Sequence, residues 1–456
     1  MIFSVFLLFL NNVLFALERI RDRIIFLFFQ LTFAVFLVFR PVILLFQGKN
    51  WLDLFDAHEA AMFAVTSLFV SMICLLAGAI FFEHWQSRPR RQRFHRAYTE
   101  NPAFMRTLQN VALVFFVICL LCFLIGEGEK LVYMQNRDYA EYYLSFRSAL
   151  PMPVAAGATM MPIFLCIYLS TLPQKHRAFW PLALYLLSAV PMLIIGQRNP
   201  IVLNTLFILI YYYFRDKYES GGKRWYGKIE KTLLVLLTPI ALVGLSIYNY
   251  TREDQAIATN GFFGAIVDLL YKQGVSFNVL GIGYSTIPNL PPGPKCYTFG
   301  GFIDYFLHGS IAQMFGGTDL GAGNNVVKAV EGNSFAHSMS YIAKSDYLQG
   351  HGWGSSYLLE TYADFGWIGL ILFSLVLGFA LLYLIKMLRS GWIARTISLM
   401  AVTELFLVPR AEATNWLLFL IKPQFWVAIV FCFVLTGLLT KRYGLQANAP
   451  PYGAIC

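Results

Sequence analysis

The sequence predicts an all-α protein that crosses a lipid bilayer about eleven times. Three observations lead there. Charged residues make up only 13% of the chain and hydrophobic ones 58%, with 42 Phe among 456 residues, whereas soluble domains average about 25% charged. Apolar runs approaching the roughly 20 residues needed to span a bilayer recur along most of the chain. The basic residues, 35 Lys and Arg in all, fall mostly on alternate connections between those runs, as the positive-inside rule requires of a multi-span protein.

The runs follow in order. MIFSVFLLFLNNVLFALERIR has neither a basic n-region nor a small-residue cleavage site, so it reads as a short first span near 1–17, interrupted by Asn11 and Asn12, and not as a signal peptide. The second, 24–46, contains Arg40, read as an arginine snorkelling to the membrane edge. Spans near 59–82, 107–126, 151–172 and 179–195 come next. Cys119 and Cys122 lie inside the fourth span with no second pair, so their spacing does not make a metal site. A tight turn, Gly196-Gln197-Arg198, separates 179–195 from 199–214: Gly196 permits an unusual backbone, Asn199 suits a cap and Pro200 a first turn. Spans near 232–250, 365–387, 396–409 and 422–440 complete the set.

Sorting connections by charge puts Arg19, Arg21 and Arg23, the arginine-rich 88–106 stretch, 175–177, 215–231, 386–395 and 441–442 on one side. That side is assigned to the cytoplasm, with the N-terminus outside and the C-terminus inside. The net charge of +10 is then a matter of orientation, and a nucleic-acid partner is not expected. The chain divides into an N-terminal bundle (1–250), a large outer loop (251–355), C-terminal spans (356–442) and a tail (443–456). Short basic cytoplasmic loops leave no room for a soluble catalytic domain, and no phosphate-cradling G-x-x-x-x-G-K-[ST] is present, which argues against ATP-driven pumping. The outer loop is too rich in Phe, Tyr and Leu for disorder. Its segment GFFGAIVDLLYKQGVSFNVLGIG suits an amphipathic helix. No metal ligand spacing and no disulfide framework are visible, so no cofactor is expected.

Ionisable groups at the membrane edge carry the functional hypotheses. Arg198 lies beside a helix N-terminus, a good anion site, unless it merely snorkels. Arg410 adjoins Pro409, a helix breaker, with Glu412 close enough to form a self-neutralising pair. Arg252, Glu253 and Asp254 end a span. Arg137, Asp138, Tyr139, Tyr142, Tyr143 and Arg147 form either an interfacial aromatic belt or a sugar platform with an arginine in reach of phosphate. His337 and His351 precede GHGWGSSYLLETYADFGWIGL, whose Glu360, Tyr362 and Asp364 stand at the mouth of a span. The arginines share one face and sit at headgroup depth. That suits group transfer from a polyprenyl-phosphate-type donor better than a pore, where charges in mid-helix and two related halves are the expectation.

Three stretches carry a resemblance: Gly196-Gln197-Arg198, Arg410 with Glu412, and GHGWGSSYLLETYADFGWIG. In order and spacing the chain resembles the Wzy-type oligosaccharide repeat-unit polymerases of O-antigen, capsule and exopolysaccharide synthesis. The resemblance implies a glycosyltransferase C-like fold in the bacterial plasma membrane. It implies an undecaprenyl-pyrophosphate-linked oligosaccharide as substrate, metal-independent transfer of the growing glycan to the non-reducing end of a new repeat unit, and a chain-length regulator and a flippase as partners. Arg198 and Arg410, then Arg252 and Arg147, become the pyrophosphate candidates. Glu360, Asp364, His337, His351 and Asp254 become the catalytic ones, and Tyr139, Tyr142 and Tyr362 the sugar contacts. An O-antigen ligase with the same donor, or a flippase for it, is the alternative.

The last stretch sets a geometric problem. An unbroken helix from Ser356 to Met387 would be about 48 Å long against an apolar core of about 30 Å. It is expected to bend at Gly366 or Gly369, with Ser356 as its cap and with Glu360 and Asp364 sharing one face on protruding outer turns.

Overall fold

A computed structural model describes residues 1–87, 101–135, 137, 139–218, 224–228, 230–232, 236, 243–244 and 261–447, with 139–140, 217–218 and 442–447 described by backbone alone. Among the described residues there is no strand. Among the described residues eight helical segments are long and apolar enough to cross a membrane: Ile20–Phe46, His58–Gln86, Pro102–Met134, Met152–Ser170, Lys175–Ile195, Tyr357–Leu388, Trp392–Arg410 and Pro423–Lys441.

The difference from about eleven has separate causes. The first run forms α1 (Ile2–Glu18), a helix of 17 residues, below spanning length. The 199–214 run forms a helix of 20 residues that is not among the eight spans. The 232–250 run lies largely outside the described residues.

In chain order, α2 (Ile20–Phe33) passes through a π turn (Ala34–Val38) into α3 (Phe39–Phe46). There follow α4 (His58–Ser87), α5 (Pro102–Met134), α6 (Tyr139–Ser145), α7 (Met152–Ser170), α8 (Lys175–Leu187), α9 (Ala189–Ile195) and α10 (Asn199–Tyr218). Short helices occupy the stretch up to 355: α11 (Gly261–Gln273), α12 (Ser276–Thr286), α13 (Gly300–His308), α14 (Ser310–Met314), α15 (Val326–Val330) and α16 (Phe335–Ala343). The chain ends with α17 (Tyr357–Leu388), α18 (Trp392–Glu404) and α19 (Pro423–Ala447). The amphipathic segment read from sequence is thus two helices, α11 and α12, with Phe262, Phe263 and Val267 of α11 facing outward.

Small residues and polar links hold the apolar helices together, because hydrocarbon offers no hydrophobic drive between them. A Cβ on Gly78 of α4 would lie 2.0 Å from the Leu375 carbonyl oxygen, and one on Gly378 of α17 would lie 2.1 Å from that of Leu75. These two glycines therefore let the α4 and α17 backbones touch. Ser71 Oγ adds hydrogen bonds to Ser374 Oγ (2.9 Å) and the Tyr357 hydroxyl (2.5 Å) at the same seam. Asn12, an interruption by sequence, is fully buried and donates to the Met72 carbonyl at 3.1 Å, tying α1 to α4. Cys122 packs against Gly157 of α7.

The connections separated by charge in the sequence also come together in space as two sets. At the basic end Arg23 pairs with Glu83 and Glu18, Arg215 donates to the Pro173 carbonyl at 2.7 Å, and Arg395 donates to the carbonyls of Ser170 and Leu388. At the other end Asn278 reaches the Leu54 carbonyl, Ser334 Oγ donates to Glu412 at 3.0 Å and Thr414 Oγ1 donates to the Thr298 carbonyl at 2.7 Å.

α17 resolves the length problem at Gly366, whose φ of 60° and ψ of −154° break the helix in a region open essentially to glycine alone. Gly369 is instead a packing residue: a Cβ there would meet Phe365 and the Thr361 carbonyl. Ser356 caps α17, its Oγ accepting from the Leu358 amide. The expectation of protruding acids needs correction. Glu360 is 0% exposed, enclosed by protein.

Candidate functional site

A cleft of about 280 Å³ opens at the end of the bundle opposite the basic turns, bounded by α12 (Val275, Ser276, Val279), Lys344, the loop His351–Ser355 and Arg410. Local sequence shapes each wall. Gly350 adopts φ 96° to end the turn at Tyr347–Gln349, and Gly354, at φ 83°, lies against the Arg410 carbonyl. The loop His351–Ser355 therefore folds onto the cleft, and half of the lining residues come from it.

Two cations, Arg410 and Lys344, line the cleft. Arg410 follows Pro409 at the end of the 3-10 turn Leu405–Arg410. It donates from Nη1 to Gln273 Oε1 at 2.8 Å, and its guanidinium lies 5.5 Å from the Phe36 ring in the π turn. π turns inside helices are frequent at functional sites. Lys344 Nζ lies 5.0 Å above the Trp353 ring and 2.9 Å from Asp346, whose carboxyl that hydrogen bond holds below the usual carboxylate range. No carboxylate lines the cleft among the described residues. One helical turn beyond Phe36, Arg40 stacks 4.3 Å from the Tyr271 ring and donates to its carbonyl at 3.4 Å. A Cβ on Gly274 would come within 2.5 Å of Arg40 Cβ, so the end of α11 closes over this arginine. The snorkelling read from sequence gives way to an arginine covered by the short-helix segment.

Behind the cleft, the Glu360 carboxylate accepts from Ser355 Oγ at 2.6 Å and from the Ala413 amide at 2.7 Å. It thus pins the loop before α17 to the loop after Arg410. Glu412, three residues from Asn415, turns to Ser334 and not to Arg410, so the two do not form a self-neutralising pair. Burial pushes its carboxyl above the usual range, against the hydrogen bond from Ser334, and Asp304 adds to the rise.

The other candidates scatter. Asp364 accepts from the amides of Tyr297 (3.0 Å) and Thr298 (2.6 Å) and from Cys296 Sγ (3.5 Å), clasping the loop before α13. His337 bonds the Tyr347 hydroxyl at 3.0 Å, outside the cleft. Burial and the neighbouring Lys328 push its pKa down to about 4. His351 does line the cleft. Arg198 sits half-buried in the turn where Gly196 adopts φ 113°, away from the cleft lining. Arg147 is exposed, donates to the Phe146 carbonyl, and its charge helps burial to lower the Lys328 pKa. Tyr142 is buried against Tyr133 and Phe146, and Tyr362 lies 4.6 Å from the Phe63 ring and 5.2 Å from that of Trp367. The Tyr139 side chain, Asp138, Arg252, Glu253 and Asp254 lie outside the described residues.

The cleft of about 280 Å³, lined by Arg410 and Lys344, is built around the Gly- and Ser-rich stretch at one end of a helical bundle. The family model described as O-antigen polysaccharide polymerase Wzy matches residues 1–443. The chain belongs to this family. No curated protein and no solved structure matches it significantly. Membership of the Wzy family makes this a multi-pass membrane protein of the O-antigen repeat-unit polymerase kind, acting on lipid-linked oligosaccharide repeat units. Sequence reading did not single out Lys344, Trp353 and Ser355, which line this cleft, or Gln273, which holds Arg410, and it read Arg40 only as snorkelling. Arg40 was visible as a charge in an otherwise apolar run; Gln273 and Lys344 had no signal of their own.

Proposed function

We propose that this Wzy polymerase joins undecaprenyl-pyrophosphate-linked repeat units on the outer face of the bacterial plasma membrane, at the Arg410–Lys344 cleft. The growing glycan leaves its pyrophosphate carrier and is transferred to the non-reducing end of a new unit. The observation that carries this reading is that Arg410 and Lys344 line one cleft together with His351 and Trp353. Negative charge develops on the leaving pyrophosphate, and fixed cations there lower the barrier. The Arg410 fork matches phosphate oxygens and keeps its proton, and its Gln273 bond orients it. The Trp353 ring offers an apolar face for a sugar, and His351 is placed to accept the proton of the attacking hydroxyl. Glu360 is a positioning residue, holding the Ser355 and Ala413 walls in register. Residues 251–355 act as the extracytoplasmic loop that closes over the cleft, and the basic end faces the cytoplasm.

Deletion and complementation test the reading. Loss of the gene should leave surface glycan as single capped repeat units. Long polymer accumulating unattached on its carrier would instead make the protein a ligase, and units held on the cytoplasmic side would make it a flippase. Arg410→Ala and Lys344→Ala should each leave membrane expression intact and abolish chain extension. Normal polymer lengths in both would overturn the assignment of the cleft.

A further inference from the structure

The basic end of the bundle carries a second cleft, also of about 280 Å³, where the α1–α2 turn meets the ends of α4 and α17. Its charges do not cancel. Glu83 is taken by Arg23, with Nε–Oε1 at 2.7 Å and Nη2–Oε2 at 2.8 Å, and Asp22 is taken by Arg389. Arg23 is shared with Glu18, so among the described residues the cluster keeps one net positive charge, with Arg19 and Lys386 as the lining cations that no carboxylate pairs. The Arg19 side chain has no partner among the described residues, and Lys386 has no acidic one; its Nζ lies 5.0 Å above the Trp85 ring. The deep wall is apolar, formed by Phe82, Leu382 and Ile385, each no more than 3% exposed. Leu17 and Phe81, on the flanking helices, face outward at 48% and 62% exposure.

Cations at a rim, a buried apolar wall beneath and outward apolar surface alongside are what a phospholipid needs at headgroup depth: charge for the phosphate, hydrocarbon for the chains. Because Leu17 and Phe81 place the cleft beside surface that faces acyl chains, a lipid already in the bilayer reaches the cations with its phosphate while its chains stay on that surface; a soluble phosphate reaches the cations alone. We propose that this cleft binds one anionic phospholipid, its phosphate held by Arg19 and Lys386. The site is at the end of the bundle opposite Arg410, so it is independent of the polymerase cleft and of which end faces outward.

The full-length protein is reconstituted in phosphatidylcholine nanodiscs containing a minor fraction of phosphatidylglycerol, and retained lipid is counted by native mass spectrometry. One phosphatidylglycerol should be retained by the wild type. Retention should fall about tenfold in Arg19→Gln/Lys386→Gln and stay unchanged in Arg410→Gln. Equal retention in the double variant, or equal loss in Arg410→Gln, would overturn the site. Displacement of the lipid by millimolar inorganic phosphate would overturn the lipid as its ligand. Should the double variant fail to fold, Arg19→Gln alone, at an exposed turn, should still lose retention several-fold, and no loss there overturns the proposal equally.

Discussion

Glu360 shows how a single residue's role depends on what surrounds it. As an exposed acid on an outer turn it would have been a candidate base. Fully buried, with its two oxygens on Ser355 and Ala413, it is a tie between the two loops of the cleft. Glu360→Ala leaves a buried amide and a buried hydroxyl without acceptors, at about 1–3 kcal/mol each. The expected outcome is a lower melting temperature in detergent together with weakened chain extension. Glu360→Gln keeps one acceptor and should recover part of both. If extension stayed normal in Glu360→Ala, the tie would not shape the cleft. His337 gives a pH dependence. Its pKa is held at about 4, below the ordinary 6.5, so the folded protein binds fewer protons than the unfolded chain between those values. Stability should therefore rise with pH across that window and be lost as pH falls through it. His337→Gln should flatten this part of a melting-temperature profile; an unchanged slope would assign the dependence to other groups.

At the level of the element, α17 joins two functions at one break. Tyr357–Phe365 presents Glu360, Thr361 and Asp364 to protein, and the part after Gly366 packs along α4 as a span. Gly366→Ala puts a Cβ on a residue at φ 60°, ψ −154°. A cost of about 1–3 kcal/mol is expected, read as a drop in melting temperature, even though nothing lies within 4 Å of the added carbon. Gly378→Val meets the Leu75 carbonyl directly and should be the more damaging of the two, because it forces α4 and α17 apart. Equal melting temperatures for Gly378→Val and wild type would show that the seam has more room than the backbone contact indicates.

The whole molecule is a helical bundle with a cover of short helices fastened at one end. Asp364 of α17 fastens the cover through the Tyr297 and Thr298 amides, with Glu412 on Ser334 and Thr414 on the Thr298 carbonyl; within the cover, Asp304 holds the Asn333 amide at 2.9 Å and Asn333 Oδ1 accepts from the Cys296 amide at 3.2 Å. Such charge-assisted bonds exceed neutral ones in strength. Asp364→Ala should loosen the cover without unfolding the spans, seen as faster proteolysis near 290–298 in purified protein and retained helical signal. Cleavage at the wild-type rate would mean that Glu412 and Thr414 suffice. Because α11 closes over Arg40 and Gln273 holds Arg410, loosening of the cover is also expected to weaken chain extension.

Much of this was legible in the sequence. Apolar runs and alternating basic connections located the membrane helices and their two ends, because burying backbone in hydrocarbon forces long helices and basic residues favour one side of a bilayer. Helix length against bilayer thickness required a bend in α17 and offered Gly366, and Ser356 announced its cap. The Gly- and Ser-rich stretch marked one wall of the cleft. Other features were settled only by tertiary contacts. Arg40, Gln273, Lys344, Trp353 and Arg410 are far apart along the chain, and only folding of the short-helix segment onto the bundle brings them together. Periodicity reports which face of a helix is apolar but not which neighbour covers it. So composition, charge and three short motifs pointed to the helical membrane architecture and the family, while long-range packing decided that Arg410 and Lys344 share a cleft and turned Glu360 and Asp364 from membrane-edge acids into ties between loops and helices.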